Sequence, residues 1–123
     1  MKKFILLIIL PFLFIGCLSA TKKLNERYYQ INLCNKFDGK TEYVLKDRTR
    51  VDCLTDEYAI EVDFAKKWAE SIGQSLYYAH MTNKKPAVGI IIDTQKDKRY
   101  FDRLNVMAKK YNITIFIIDK EEQ

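Results

Sequence analysis

The stretch RVDCLTDEYAIEVDFAKKWAESIGQSLYY, residues 50–78, decides the fold and contains the candidate site. Its first half predicts two short strands, and side chains alternate between the two faces of a strand. Glu61 and Asp63 therefore point to the same side, and Asp52 joins them if the two strands pair as a hairpin. Three carboxylates that meet at one sheet edge repel each other unless a cation lies between them. The pattern therefore predicts a divalent-metal site.

Hydrophobic periodicity predicts the remaining elements. The spacing of Leu24, Tyr28 and Ile31, which Cys34 could continue, indicates a first helix with these side chains on its buried face. The last two strands, AVGIIID and ITIFIID, are continuous apolar runs, which is typical of parallel strands buried on both faces and joined by a crossover helix. The fold class is therefore α/β, with a mixed sheet flanked by helices. The predicted order is α-β-β-β-α-β-α-β, with bounds near 21–35, 41–45, 50–54, 58–64, 64–81, 86–93, 98–111 and 113–119.

These motifs resemble the core of the PD-(D/E)XK, or restriction-endonuclease-like, nuclease superfamily. The resemblance rests on an Asp that ends one strand, a Glu-x-acid pair on the next and a Gln-x-x-x-Tyr element on the following helix, here Asp52, Glu61, Asp63, Gln74 and Tyr78. The Gln-x-x-x-Tyr element is similar to that of the nuclease domains of bacterial recombination helicases. The resemblance covers about residues 22–119, so residues 21–123 are expected to form a single nuclease-like domain. The chain departs from the family where a Lys is usual, because Asp63 occupies that position.

The resemblance implies a metal-dependent nuclease that hydrolyses the phosphodiester bonds of DNA, or less commonly of RNA. Asp52 and Glu61 would bind Mg²⁺ or Mn²⁺, and Asp63 would be a further ligand or a base for the attacking water. A lysine on the helix would replace the missing positive charge, and Lys67 is preferred over Lys66. The residues expected to act in catalysis are Asp52, Glu61, Asp63, Lys67 and Gln74, and those expected to contact the substrate are Lys66 and Tyr78.

Less specific interpretations of the same residues stay open. One stripe of the helix contains Lys67, Ser71, Gln74 and Tyr78. This stripe lines a groove beside the carboxylates, or it faces water. The acidic residues could instead form surface ion pairs with Arg50 and with the two lysines. Glu26 would be a further ligand only if it points inward, which the sequence does not show.

Two other functions also stay open. Because the usual lysine is absent, the chain could be a nuclease relative that binds nucleic acid without cutting it. It could also be an envelope interaction module whose acidic residues serve only stability. Small nucleases of this fold are often dimers, so a homodimer is a further expectation from the resemblance.

The first twenty residues predict a targeting segment. Two lysines precede the apolar run 4–15, which is too short to span a bilayer. The run ends in Phe14-Ile15-Gly16-Cys17, which resembles a bacterial lipobox with Cys17 as the lipidated residue. The expected location is therefore the bacterial cell envelope, as a periplasmic lipoprotein anchored to the membrane. Cleavage after Ala20 with secretion, or a retained anchor, are the alternatives.

Charge and cysteine content limit these interpretations. The formal net charge of +5 falls to +3, from 19 basic and 16 acidic residues, when Lys2 and Lys3 are removed. This excess is too small to indicate nucleic-acid binding by itself. With Cys17 assigned to lipid, Cys34 and Cys53 could form a disulfide or stay as two buried thiols. A zinc site is not expected, because one His and no Cys-x-x-Cys fall short of its usual ligands.

Overall fold

A five-stranded mixed sheet organises residues 24–120, the part of the chain that the computed structural model describes. The predicted order of elements is confirmed. The helices are α1 (Glu26–Lys36), α2 (Trp68–Thr82) and α3 (Lys98–Tyr111), and a 3₁₀ turn at Ala65–Lys67 precedes α2. The strands are β1 (Lys40–Val44), β2 (Arg50–Leu54), β3 (Tyr58–Phe64), β4 (Lys85–Ile92) and β5 (Thr114–Asp119).

The targeting segment and Cys17 lie outside the described residues. Within residues 24–120, no helix combines the length and the apolar character needed to cross a membrane.

The strands lie side by side in chain order, from β1 at one edge to β5 at the other. Antiparallel pairing joins β1 to β2 and β2 to β3, whereas β3, β4 and β5 run parallel. The expectation that the two apolar C-terminal strands pair in parallel is therefore confirmed. The carboxyl ends of the three parallel strands meet at one edge of the sheet, and the chain enters α2 and α3 from that edge.

Helices cover both faces of the sheet, which explains why β4 is apolar from Pro86 to Ile92. Ala87 and Ile91 belong to the cluster packed under α1, and Val88 and Ile90 belong to the cluster under α2 and α3. Alternate side chains of this central strand thus supply both cores. Gly89 keeps α1 close to the sheet, because a Cβ there would lie 2.7 Å from Leu33 Cδ2.

The buried face of α1 differs from the prediction. Its buried side chains are those of Tyr29, Gln30, Leu33 and Cys34. Tyr28 and Ile31 are exposed, so the expectation that they form the buried face was wrong. Cys34 is joined by a disulfide to Cys53 of β2, with 5.5 Å between the Cα atoms. This bond requires the Cys34 face of the helix to turn towards the sheet.

Gly39 lies against this disulfide. A Cβ on Gly39 would come within 2.6 Å of the sulfur atoms of both Cys34 and Cys53, and within 3.2 Å of the Leu54 carbonyl oxygen. The disulfide has little freedom to move away, because each sulfur is bonded both to its own Cβ and to the other sulfur. Residue 39 therefore needs to be glycine for the chain to leave α1 and enter β1 beside the disulfide.

We expect Gly39→Ala to lower the free energy of unfolding by about 1–3 kcal/mol, the usual range for overpacking a core. Gly73→Ala is the matched control, because a Cβ at this exposed helical position meets nothing within 4 Å. The control should raise stability by about 0.5–1 kcal/mol, since alanine replaces glycine inside a helix. Urea unfolding of both variants measures the difference, and equal effects would contradict the packing assigned to Gly39.

Candidate functional site

The candidate site begins where β2 and β3 stop pairing. Their ladder contains Cys53 opposite Ile60 and Leu54 opposite Ala59, and it extends no further. In the next position the side chain of Asp52 replaces the strand backbone, because its Oδ2 accepts a hydrogen bond of 2.8 Å from the backbone amide of Val62. Asp52 is thus built into the fork between the two strands and is positioned by the fold.

Glu61 lies on the first part of β3 past this fork and is only 5% exposed. Its Oε2 is buried and has no hydrogen-bond partner within residues 24–120. Burial, followed by the charges of Asp52 and Asp63, raises the pKa of Glu61 to about 10. Burial is also the main cause that raises the pKa of Asp52 to about 6. The fork therefore holds two buried carboxyl groups that the surrounding protein does not stabilise in the ionised form.

Asp63 lies beside Asp52 and Glu61 but has its own partners. Its Oδ2 accepts a hydrogen bond of 3.2 Å from the Ser71 hydroxyl, and its Oδ1 lies 3.5 Å from Lys67 Nζ. The same ammonium lies 3.5 Å from Glu26 Oε2. Burial, then the charge of Glu26, raises the pKa of Asp63 to about 7. Lys67 thus bridges two carboxylates from different elements, Glu26 of α1 and Asp63 of β3.

The sequence left open whether the helical stripe of Lys67, Ser71, Gln74 and Tyr78 lies beside the carboxylates or faces water. Ser71 and Tyr78 are buried, Gln74 is half-buried and Lys67 is exposed at the end nearest Asp63. Burial raises the pKa of Tyr78, and the charges of Glu61 and Asp52 raise it further. The stripe therefore lies beside the carboxylates and does not face only water. Lys66, the other candidate lysine, is exposed on the 3₁₀ turn.

The observed ion pairs differ from the alternative in which Arg50 and the two lysines pair with the three acidic residues at the surface. Arg50 lies 3.7 Å from Glu42 and not beside the two fork carboxylates. Within the described part of the chain, Asp52 and Glu61 have no ion pair with a lysine or arginine. The alternative in which basic side chains neutralise these acids applies to Asp63 alone.

Two residues that the sequence analysis did not single out support the fork. The buried amide of Gln30 donates one hydrogen bond of 2.8 Å to the backbone carbonyl of Asp52 and another of 2.9 Å to Glu42 Oε1. Glu42 has a φ of 54°, which is unusual for a non-glycine residue in a strand. Gln30 lies one turn after Glu26, so both face the sheet from α1. This spacing was the only signal in the sequence that could have identified Gln30.

The described residues offer a divalent metal two adjacent carboxyl groups and no larger ligand set. No group of three His, Cys, Asp or Glu side chains within residues 24–120 is arranged to hold a metal ion. Asp52 and Glu61 nevertheless supply two adjacent carboxylates, and Glu61 has a buried oxygen without a partner. Mg²⁺ commonly binds to one or two carboxylates and keeps several waters or substrate oxygens. The residues present fit Mg²⁺ in this manner, with Asp63 held apart by Lys67 and Ser71.

Comparison with known proteins identified one distant relative. The chain is 28% identical over 106 residues to a protein of Acanthamoeba polyphaga mimivirus that is named for a KilA-N domain. The alignment covers 83% of this chain but only 29% of the viral protein. No family model matches the chain, and no solved structure matches it.

The raised carboxyl pKa values predict how stability depends on pH. A carboxyl whose pKa is higher in the folded state stabilises the fold while it is protonated, and this contribution is lost as the pH rises through the folded pKa. For Asp52, Asp63 and Glu61, the loss begins near the ordinary values of about 4 and continues through about 6, 7 and 10. In EDTA, we therefore expect the free energy of unfolding to fall by several kcal/mol from pH 5 to pH 8, because each such carboxyl contributes about 1.4 kcal/mol per pH unit until it ionises in the folded state.

Glu61→Gln tests the origin of this pH dependence, because the amide has the shape of the protonated acid but cannot ionise. The variant should lose the part of the slope that lies above pH 7. Glu57→Gln is the control, since Glu57 is exposed and pairs with Lys85 at 2.8 Å. A Glu61→Gln variant with the wild-type slope would show that Glu61 is not the buried ionisable group.

Proposed function

We propose that this chain is a divalent-metal-dependent nuclease of the restriction-endonuclease-like fold, acting on the phosphodiester bonds of DNA. The proposal is supported by the order of elements and by the mixed sheet, with an antiparallel β1–β2–β3 meander followed by two parallel strands. It is also supported by the location of Asp52 on β2, and of Glu61 and Asp63 on β3, where these two strands stop pairing. The resemblance found in the sequence would place the catalytic residues at this location.

The observation that carries the proposal is the cluster of buried carboxyl groups at the fork, whose pKa values are raised. Asp52 and Glu61 lie together without a basic partner among residues 24–120, and one oxygen of Glu61 has no hydrogen bond. A buried carboxyl without a partner costs free energy. A site that only stabilised the fold would gain by replacing these residues with apolar ones. Their presence is better explained by a cation that Asp52 and Glu61 would hold.

A bound Mg²⁺ or Mn²⁺ would supply a water of lowered pKa and a positive charge for the phosphate. The chain's own residues would do the rest. Asp63 accepts a hydrogen bond from Ser71 and lies close to Lys67. Asp63 and Lys67 together can therefore hold a proton beside the fork. Lys67 provides the positive charge that the family usually takes from the position of Asp63. Gln74 and Tyr78 lie on α2 and Lys66 lies on the turn before it, and these residues would contact the substrate.

The proposed location outside the cytoplasm rests mainly on residues 1–20. Cys17 would carry the lipid that anchors the protein to the membrane of a bacterial cell envelope. Outside the cytoplasm, the nuclease would act on incoming or environmental DNA without endangering the chromosome. The disulfide between Cys34 and Cys53 suits an oxidising compartment of this kind.

Cleavage of plasmid and linear DNA by the full chain in a neutral detergent tests the proposed activity. We expect cutting with Mg²⁺ or Mn²⁺, none with EDTA, and a loss of about 100-fold or more in Glu61→Gln, because a metal carboxylate is removed. Glu57→Gln should cut like the wild type. A folded protein that binds DNA and never cuts it would instead support the non-catalytic nucleic-acid-binding alternative.

Replacement of Lys67 tests which residue stands in for the missing lysine. We expect Lys67→Met to lower the rate of cleavage by about 100-fold or more while the protein still binds DNA, since one charge that acts on the reacting phosphate is lost. Lys46→Met is the control, because Lys46 is an exposed lysine in the β1–β2 turn. Equal cleavage rates in the two variants would show that Lys67 has no role in cleavage. Asp63→Asn then becomes the informative variant.

A further inference from the structure

The charge of the molecule is divided unevenly between α3 and the rest of the fold. Helix α3 contains five Lys or Arg and one Asp, a net charge of +4. The other described residues contain 12 Lys or Arg and 13 Asp or Glu, a net charge of −1. The mild overall charge therefore conceals one strongly basic element, and the whole positive excess of residues 24–120 lies on this helix.

The basic side chains of α3 face outward and most of them are unpaired. The exposed basic residues are Lys98, Arg99, Arg103, Lys109 and Lys110. Lys98 pairs with Asp102 at 2.6 Å. The other four have no ion pair within the described part of the chain. They provide four positive charges for an external ligand.

The arrangement of these charges matches a regular polyanion. Arg99, Arg103 and Lys110 recur at helical spacing and form one stripe, about 16 Å long at 1.5 Å per residue. Rings accompany the charges, since the Arg99 guanidinium lies 4.6 Å from the centre of the Tyr100 ring and Lys110 Nζ lies 5.7 Å from that of Tyr111. A rigid row of this kind is suited to successive phosphates of a nucleic-acid backbone.

The same helix is less suited to a lipid surface. A helix that lies in a membrane interface needs a free apolar face. The apolar side of α3 is already occupied, because Leu104 and Ala108 are buried in the core with Val88 and Ile90. On the outer side, Val106 at 67% exposure is an isolated apolar residue among the charges.

Helix α3 also lies close to the carboxylate site. Ala65, two residues after Asp63, packs in the same apolar cluster as Leu104 and Ala108. The 3₁₀ turn that carries Lys66 and Lys67 therefore contacts α3, and its Lys67 lies 3.5 Å from Asp63. A long ligand could contact the basic helix and the turn together.

We propose that the outer face of α3 is the docking surface for the sugar–phosphate backbone of a DNA duplex. The inference rests on the proposed function in taking DNA as the ligand, but it does not require that the fork cuts it. The contact would not depend on sequence, because backbone phosphates are the same at every position.

Salt dependence of binding measures the contact directly. The full chain in a neutral detergent with EDTA is titrated against a labelled duplex between about 50 and 200 mM salt. If four cations each neutralise one phosphate, the slope of log K against log salt is about −3.6, a loss of affinity of roughly 150-fold over this range. The double variant Arg103→Gln with Lys110→Gln should give a slope of about −1.8 and a loss of roughly 12-fold.

A double variant of equal charge change provides the control. Lys36→Gln with Lys46→Gln removes two exposed charges that lie off α3 and should leave the slope unchanged. Equal changes in both double variants would overturn the inference, because only net charge would then matter. Vesicles of phosphatidylcholine with a quarter of phosphatidylglycerol form the second arm. Binding to them that depends on α3, without such binding to DNA, would also overturn it.

The outcome is distinguishable from that of the proposed nuclease. Because EDTA prevents metal-dependent cleavage, the binding slope is measured whether or not the fork is catalytic. DNA binding through α3 by a protein that never cuts DNA would support the proposed docking surface and contradict the proposed nuclease activity. DNA cleavage, together with an unchanged salt dependence of DNA binding in the α3 double variant, would support the nuclease activity and contradict the docking surface.

Discussion

The hydrogen bond from the Val62 amide to Asp52 Oδ2 is the constraint on which the candidate site depends. It ends the pairing of β2 with β3 by putting a side chain where a strand backbone would continue. The opening that results is where Glu61 Oε2 is buried without a hydrogen-bond partner and where Glu26 approaches Asp63. A continuous ladder would leave no room for these carboxylates, because paired strands of a covered sheet pack apolar side chains.

The elements around the fork hold it open. Helix α1 is tied to β2 by the disulfide at Cys53 and by the hydrogen bond from Gln30 to the carbonyl of Asp52, so two adjacent residues of one strand are held from the same helix. Helix α2 closes the other side with Ser71 and Tyr78. The carboxylates are therefore repelled by each other but cannot move apart, and this is the condition under which a buried carboxyl keeps a raised pKa.

The fold was predictable where local patterns decide it. The bounds of β2, β3 and α3 agree with those expected from alternation and helical spacing. The buried face of α1 was not predictable in the same way, because Tyr28 and Ile31 have the apolar spacing of a core face and are nevertheless exposed. The disulfide and the close approach permitted by Gly89 determine its rotation. Both are contacts between residues distant in sequence.

The order of strands and helices along the chain and the common face of Glu61 and Asp63 could be predicted from the sequence, because both follow from the period of side chains along one element. The basic composition of α3 can be read directly from its residues. Three features became visible only in the folded protein: Lys67 joins Glu26 to Asp63, Gln30 supports Asp52, and Glu61 Oε2 has no hydrogen-bond partner among residues 24–120. Each of these depends on the distance between two elements. Such distances arise only when the sheet and its covering helices pack together.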